Sequence, residues 1–253
     1  MERRALAIAG TLLLLAGCSQ PAADLVPLES PSPEASYQDP FDPPANLSAL
    51  VDQVALATYI IDCGDGYGSG WGLTLQWRGA TRSFIVTNHH VVDECIDGKP
   101  KLKIIDRELN EFSGEVVAAK DREPDFERDL VRQDLALIEP DSDDFSTLDR
   151  LVSGGYPIGS WVMTSSNPGL EDNYYTPAIT YGNIAADSVL DGYVITAAVN
   201  PGSSGGVVVN SRGEVLGTIW GGNDQSELND AGYFLPLSNL WSLMGELPLE
   251  KSR

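Results

Sequence analysis

The sequence predicts an all-β fold: two packed six-stranded antiparallel β-barrels followed by a short C-terminal helix. Three observations carry this expectation. Short apolar runs of strand length recur along the chain, one of them with strict alternation at Trp71, Leu73, Leu75 and Trp77. Glycine and proline are abundant, at 25 and 16 of 253 residues, as many tight turns require. A polar stretch from Pro140 to about Arg150 divides the runs into two sets of six.

The elements follow in order. Arg3 and Arg4 precede an apolar run, Ala5 to Ala16, too short to cross a bilayer as a mature helix. The run ends in Leu15-Ala16-Gly17-Cys18, which resembles the bacterial lipobox. That resemblance makes residues 1–17 a lipoprotein signal peptide and Cys18 the lipidated first residue, anchored to a membrane surface. Residues 18–45 are rich in Pro, Ser, Ala and acids and read as a disordered tether. Leu47, Leu50, Val51 and Val54 fall at helical spacing behind Asn46, a good N-cap.

The first barrel is expected over 46–150, with strands at 56–62, 71–77, 83–87, 102–106, 115–119 and 134–139. The second is expected over 151–253, with strands at 160–165, 175–184, 193–199, 207–210, 214–220 and 233–235. Ser238 is expected to cap a closing helix whose stripe is Leu240, Trp241, Met244 and Leu247, ended by Gly245 and Pro248.

Composition narrows the chemistry. With 37 acidic and 16 basic residues, the net charge of −21 repels phosphate backbones, so nucleic acid is not an expected partner. With Cys18 assigned to the lipid, Cys63 and Cys95 form one even pair in an oxidising compartment, where a disulfide is expected. The only two histidines are adjacent and lack metal-ligand spacing, so neither a metal nor another cofactor is expected. The acidic segment Gly222–Asp230 lacks an EF-hand pattern and reads as a solvated loop, with calcium as the alternative.

Three segments carry candidate chemistry. Asn200-Pro201-Gly202-Ser203-Ser204-Gly205-Gly206 can turn sharply and present a serine oxygen, with backbone N–H groups nearby to face an attacked carbonyl. Phe84-Ile85-Val86-Thr87-Asn88-His89-His90-Val91-Val92 runs an apolar strand into the histidines, the residue type suited to proton transfer near neutral pH. Gln133-Asp134-Leu135-Ala136-Leu137-Ile138 places an aspartate at the mouth of a buried strand, where it needs a partner. Asp129 sits in a similar context but lacks the apolar strand after it.

Together these segments resemble HtrA-type proteases of the chymotrypsin-like fold. Thr-Asn-His-His-Val-Val ending at Val92 is similar to their histidine segment, and Asp-Leu-Ala-Leu-Ile from Asp134 to their aspartate segment. Asn200 to Gly206 is similar to the stretch around their nucleophile. Gly68-Ser69-Gly70-Trp71-Gly72 and Gly155-Tyr156-Pro157-Ile158-Gly159 resemble two further family segments.

The resemblance implies a triad of His90, Asp134 and Ser204, with His90 preferred to His89 and Ser204 to Ser203. It implies an oxyanion hole from the N–H groups of Gly202 and Ser204. It also implies a substrate pocket walled by Ala198, Val199, Asn200, Pro201, Thr218, Ile219 and Trp220, without an acid at its base. The expected activity is that of a serine endopeptidase on extracytoplasmic proteins. The chain departs from digestive relatives at Ser203, where those carry an aspartate. No room is expected for the PDZ domain of longer members. The competing expectation is an inactive, lipid-anchored peptide-binding protein of the same fold. An esterase of another fold is disfavoured, because Gly202-Ser203-Ser204-Gly205 is not G-x-S-x-G and the strands do not alternate with helices.

Overall fold

Asn46 opens the first regular element as the sequence predicts. Its side chain accepts the N–H of Ala49 at 3.3 Å and caps helix α1, Leu47–Leu56. A computed structural model describes residues 40–64, 66–98, 100–121, 133–152, 156–169, 177–188, 192–222 and 231–245. All of them fall within one unit, Gln38–Arg253. The signal segment, Cys18 and the tether up to residue 39 lie outside the described residues, as do Asp129 and residues 223–230.

The first half is a seven-stranded antiparallel sheet. It comprises β1 (Thr58–Asp62), β2 (Tyr67–Trp77), β3 (Ala80–Thr87), β4 (Lys103–Ile105), β5 (Glu111–Phe112), β6 (Gly114–Lys120) and β7 (Leu135–Pro140). Their order is β5-β4-β1-β2-β3-β7-β6. The expected closed ring of six is therefore replaced by a seven-stranded ladder. The two edge strands, β5 and β6, are separated in sequence by Ser113 alone, so the sheet must curl to bring its edges together. Ser113 marks the corner: its N–H donates to Asp141 Oδ1 at 2.9 Å and its hydroxyl to the Leu102 carbonyl at 2.8 Å.

The second half is a closed barrel of six strands in the order β10-β13-β12-β11-β8-β9. These are β8 (Trp161–Ser166), β9 (Ala178–Ser188), β10 (Gly192–Ile195), β11 (Val207–Asn210), β12 (Val215–Gly222) and β13 (Gly232–Pro236). Helix α3, Leu237–Gly245, follows without a loop. It begins one residue before Ser238, so Ser238 lies inside the helix and not at its cap. Leu240 and Met244 are buried as the stripe predicts, whereas Trp241 is 37% exposed. Leu247 and Pro248 lie outside the described residues.

Three apolar clusters organise the molecule. Tyr59, Ile61, Ile85, Ile104 and Ile138 fill the first sheet. Val162, Ile184, Ile195, Val208 and Phe234 fill the barrel. A third cluster joins the halves: Trp71, Leu73, Phe84 and Leu137 meet Trp161, Met163, Val207 and Leu235, with α1 and α3 closing over them. Full burial of each large apolar side chain stabilises by roughly 1.5–3 kcal/mol. Trp71 is completely buried, and its indole N–H donates to Thr218 Oγ1 at 3.1 Å across the junction. The two halves are thus joined by a shared core.

Candidate active site

The histidine is placed by the end of a buried strand. Phe84 to Thr87 of β3 are fully buried, and Asn88 then turns the extended chain into the short helix α2, His89–Val92. Val91 and Val92 pack into the core of the first sheet, which fixes the turn and leaves the His90 side chain 34% exposed. A disulfide between Cys63 and Cys95, with Cα atoms 5.8 Å apart, ties the end of β1 to the turn after α2.

The aspartate stands directly before β7 and is completely buried. Its Oδ2 lies 2.7 Å from His90 Nδ1, and its Oδ1 accepts the backbone N–H of His90 at 3.1 Å. Both carboxylate oxygens therefore hold one residue. A carboxylate can only accept, so Nδ1 carries the hydrogen and Nε2 is left as the basic nitrogen. Asp134 has φ of +30°, a conformation uncommon outside glycine. The Asn88 side-chain amide donates to its carbonyl at 2.7 Å and helps hold it there. His89 points elsewhere, with Nδ1 3.9 Å from Asp121 Oδ1.

The serine comes from the barrel half, in the turn before β11. Ser203 N–H donates to the Asn200 carbonyl at 2.9 Å, with Pro201 and Gly202 between them. Gly202 has φ of +89°, which with proline before it defines a type II turn. Gly205 has φ of +88°, and a side chain there would collide with the Ser69 carbonyl. Ser203 is buried. Its oxygen accepts from Ser166 Oγ at 3.0 Å and from the Asn200 N–H at 3.3 Å. Neutral hydrogen bonds thus fix the Ser203 side chain.

The N–H groups of Ser203, Gly205 and Gly206 are consumed by the turn and by β12. Those of Gly202 and Ser204 have no acceptor among the described residues. Two unspent N–H groups in one turn can donate to a negatively charged oxygen.

Ser204 and His90 are brought to the same strand end. Ser69 of β2 donates its N–H to the Ser204 carbonyl at 2.7 Å, while its own carbonyl accepts from Thr87 Oγ1 at 2.6 Å, three residues before His90. Gly68 is wedged between the two: a side chain there would lie 2.6 Å from a Val91 methyl and 2.9 Å from the Ser204 carbonyl. The Ser204 hydroxyl donates to the Trp220 carbonyl at 3.3 Å.

The predicted pocket residues divide into two groups. Ala198, Asn200 and Pro201 are exposed, and Val199 and Trp220 are half-buried. Val199 abuts Gly232. Trp220 packs on Tyr233 with ring centroids 5.5 Å apart. Thr218 and Ile219 are buried: Thr218 Oγ1 accepts the Trp71 indole N–H across the junction, and Ile219 sits in the barrel core. Sequence reasoning missed Ser69, Thr87 and Asn88. Their signal was a polar residue inside or directly after an otherwise apolar strand. Among the described residues no group of three or more His, Cys, Asp or Glu is placed to hold a metal ion.

The sequence profile of the trypsin-like peptidase domain matches residues 68–217, more than half of the chain. The chain is 33% identical over 157 residues to the putative serine protease HhoA of Synechocystis sp., covering 59% of this chain and 36% of that protein. It is 29% identical over 140 residues to a probable periplasmic serine endoprotease, DegP-like, of Ectopseudomonas mendocina, covering 53% of this chain and 26% of that protein. The chain thus spans about a third or less of these relatives' length. Among solved structures, an inactive form of Rv3671c from M. tuberculosis H37Rv superposes with a TM-score of 0.62 at 17% identity, covering 84% of this chain and 97% of that one, which shows a shared fold. The chain belongs to the trypsin-like peptidase domain family.

Proposed function

We propose that the chain is a serine endopeptidase, anchored outside the cytoplasm by a lipid on Cys18, that hydrolyses peptide bonds of extracytoplasmic proteins in quality control or processing. The observation that supports it most is the His90–Asp134 contact of 2.7 Å to a fully buried carboxylate, with Ser204 tied to the same strand end. In this reading Ser204 Oγ leaves the Trp220 carbonyl and turns to His90 Nε2. It attacks the peptide carbonyl as Nε2 takes its proton, and Asp134 stabilises the imidazolium. The N–H groups of Gly202 and Ser204 receive the oxyanion. His90 then returns the proton to the leaving amine, and water releases the acyl group by the same steps in reverse.

The primary pocket has Ala198 where trypsin-like enzymes hold an acid, and the Val199 side chain lies over Gly232. Both features favour small or medium apolar side chains over Arg or Lys. The anchor, the tether and the partner substrates rest on the sequence pattern and on the names of the relatives.

The test is hydrolysis of an unfolded protein substrate by the wild-type chain and by Ser204→Ala. Turnover is expected to fall on the order of 10⁶-fold in the variant. Equal cleavage by both proteins would end this reading.

A further inference from the structure

We infer that Ser69 is a positioning residue whose hydroxyl sets the aim of the Gly202 oxyanion donor from the opposite half of the molecule. The inference rests on the endopeptidase reading above. Ser69 lies in β2 of the first sheet, completely buried, yet among the described residues its side chain bonds to the barrel half. Its hydroxyl donates to the Gly202 carbonyl at 2.8 Å and accepts the Asn167 N–H at 2.7 Å.

The first bond holds the peptide after Gly202 directly, and the second reaches the peptide before it through the segment 167–169. A trans peptide points its C=O and N–H in opposite directions, so anchoring one aims the other. The Gly202 N–H belongs to the peptide whose carbonyl is Pro201 O, and that carbonyl accepts from Gly169 N at 3.0 Å. Gly169 is two residues from Asn167, which Ser69 holds directly. The peptide after Gly202 is held by Ser69 itself. Glycine at φ of +89° has little steric resistance to rotation, so these anchors do what a side chain cannot. The other donor is secured separately: Ser203 O accepts from Gly206 N at 2.9 Å, which aims the Ser204 N–H.

Removing the hydroxyl leaves the backbone bond from Ser69 N to Ser204 O in place. Ser69→Ala therefore keeps the nucleophile where it is and loosens one oxyanion donor. The experiment compares wild type, Ser69→Ala and Ser69→Thr, with rates normalised to sites titrated by a fluorophosphonate. It also measures binding of a peptide boronate, whose tetrahedral adduct places an oxygen at the oxyanion position.

For Ser69→Ala we expect kcat per titrated site to fall roughly 10- to 100-fold, less than outright loss of a donor. KM should stay within about twofold, and boronate affinity should fall by the same factor as kcat. Ser69→Thr, which keeps the hydroxyl, should recover activity if it folds. Should Thr fail to fold, the match between kcat and boronate affinity in Ser69→Ala still decides. A purely structural role would lower the melting temperature and the number of titratable sites with kcat per site unchanged, and that result overturns the inference. If the wild-type chain itself neither labels nor hydrolyses, the endopeptidase reading fails instead.

Discussion

The two halves of the site are prepared to different degrees. The His90–Asp134 half is fully assembled: a buried carboxylate grips both the ring and the backbone of the histidine, and Asn88 grips the carboxylate residue in turn. In the serine half, the turn is fixed by Ser203, Gly206 and Ser69, but the Ser204 hydroxyl rests on the Trp220 carbonyl. The difference teaches where each kind of order comes from. His90 is set by a buried charge, whereas the serine loop is set by backbone bonds and by neutral hydroxyls, those of Ser69, Ser166 and Ser203 among them. A buried charge needs specific partners. A serine needs only a turn that presents it and a base to accept its proton.

Replacing the aspartate strikes the assembled half hardest. Asp134→Asn should lower kcat on the order of 10⁴-fold, because an amide can donate to the ring and stabilise the wrong tautomer. KM for a peptide substrate should change little, since the serine loop and pocket are untouched. Steady-state kinetics of the variant check this, and a loss confined to KM would break the comparison.

The disulfide offers a weaker test of the same half. Cys63 and Cys95 are 32 residues apart in sequence, and their bond restrains the unfolded chain as well as the turn after α2. Replacing both with alanine should reduce stability by about 3–4 kcal/mol on loop-closure grounds. Denaturant unfolding measures it. Fluorophosphonate labelling of the fraction still folded should be preserved, because neither cysteine touches Ser204.

Alkaline titration compares the two cores with the smallest effect. Burial raises the Tyr59 hydroxyl well above its ordinary range in the first sheet, and raises Tyr156 from 10.0 to about 12 in the barrel. A raised value in the folded state means the unfolded chain loses its proton first. The stability contribution is therefore intact below pH 10 and declines as pH rises through the folded value. Tyr156→Phe and Tyr59→Phe should each flatten the fall in melting temperature above pH 10. No difference from wild type in either variant would show that the ring concerned is more solvated than its packing implies.

Much of this architecture was legible in the sequence. Short apolar runs located most strands of both halves, the one at 71–77 by strict alternation, and Asn46 marked α1. The histidine, aspartate and serine segments were readable because each joins an apolar run to a chemically distinctive residue. The two-residue strand β5 was not readable, because a single pair of residues has no period. The start of β2 was missed because Tyr67 to Gly70 is glycine-rich, and glycine is depleted in strands. Here the glycines serve close approach: a side chain on Gly70 would meet Ile85 at 2.8 Å. Ser69, Thr87 and Asn88 stood inside quoted segments, but their roles were not readable for another reason. A polar residue in a strand reads as facing solvent, and only the meeting of two halves makes it internal. Thr218 and Ile219, named for the pocket by motif position, carry buried side chains on opposite faces of β12, one at the junction and one in the barrel.

The central claim is that residues 90, 134 and 204 form one reacting unit. Labelling the intact protein with a fluorophosphonate, followed by peptide mapping, tests it most directly. The account predicts a single adduct on Ser204, abolished by His90→Ala. A label on another residue, or a Ser204 adduct formed equally fast without His90, would contradict it.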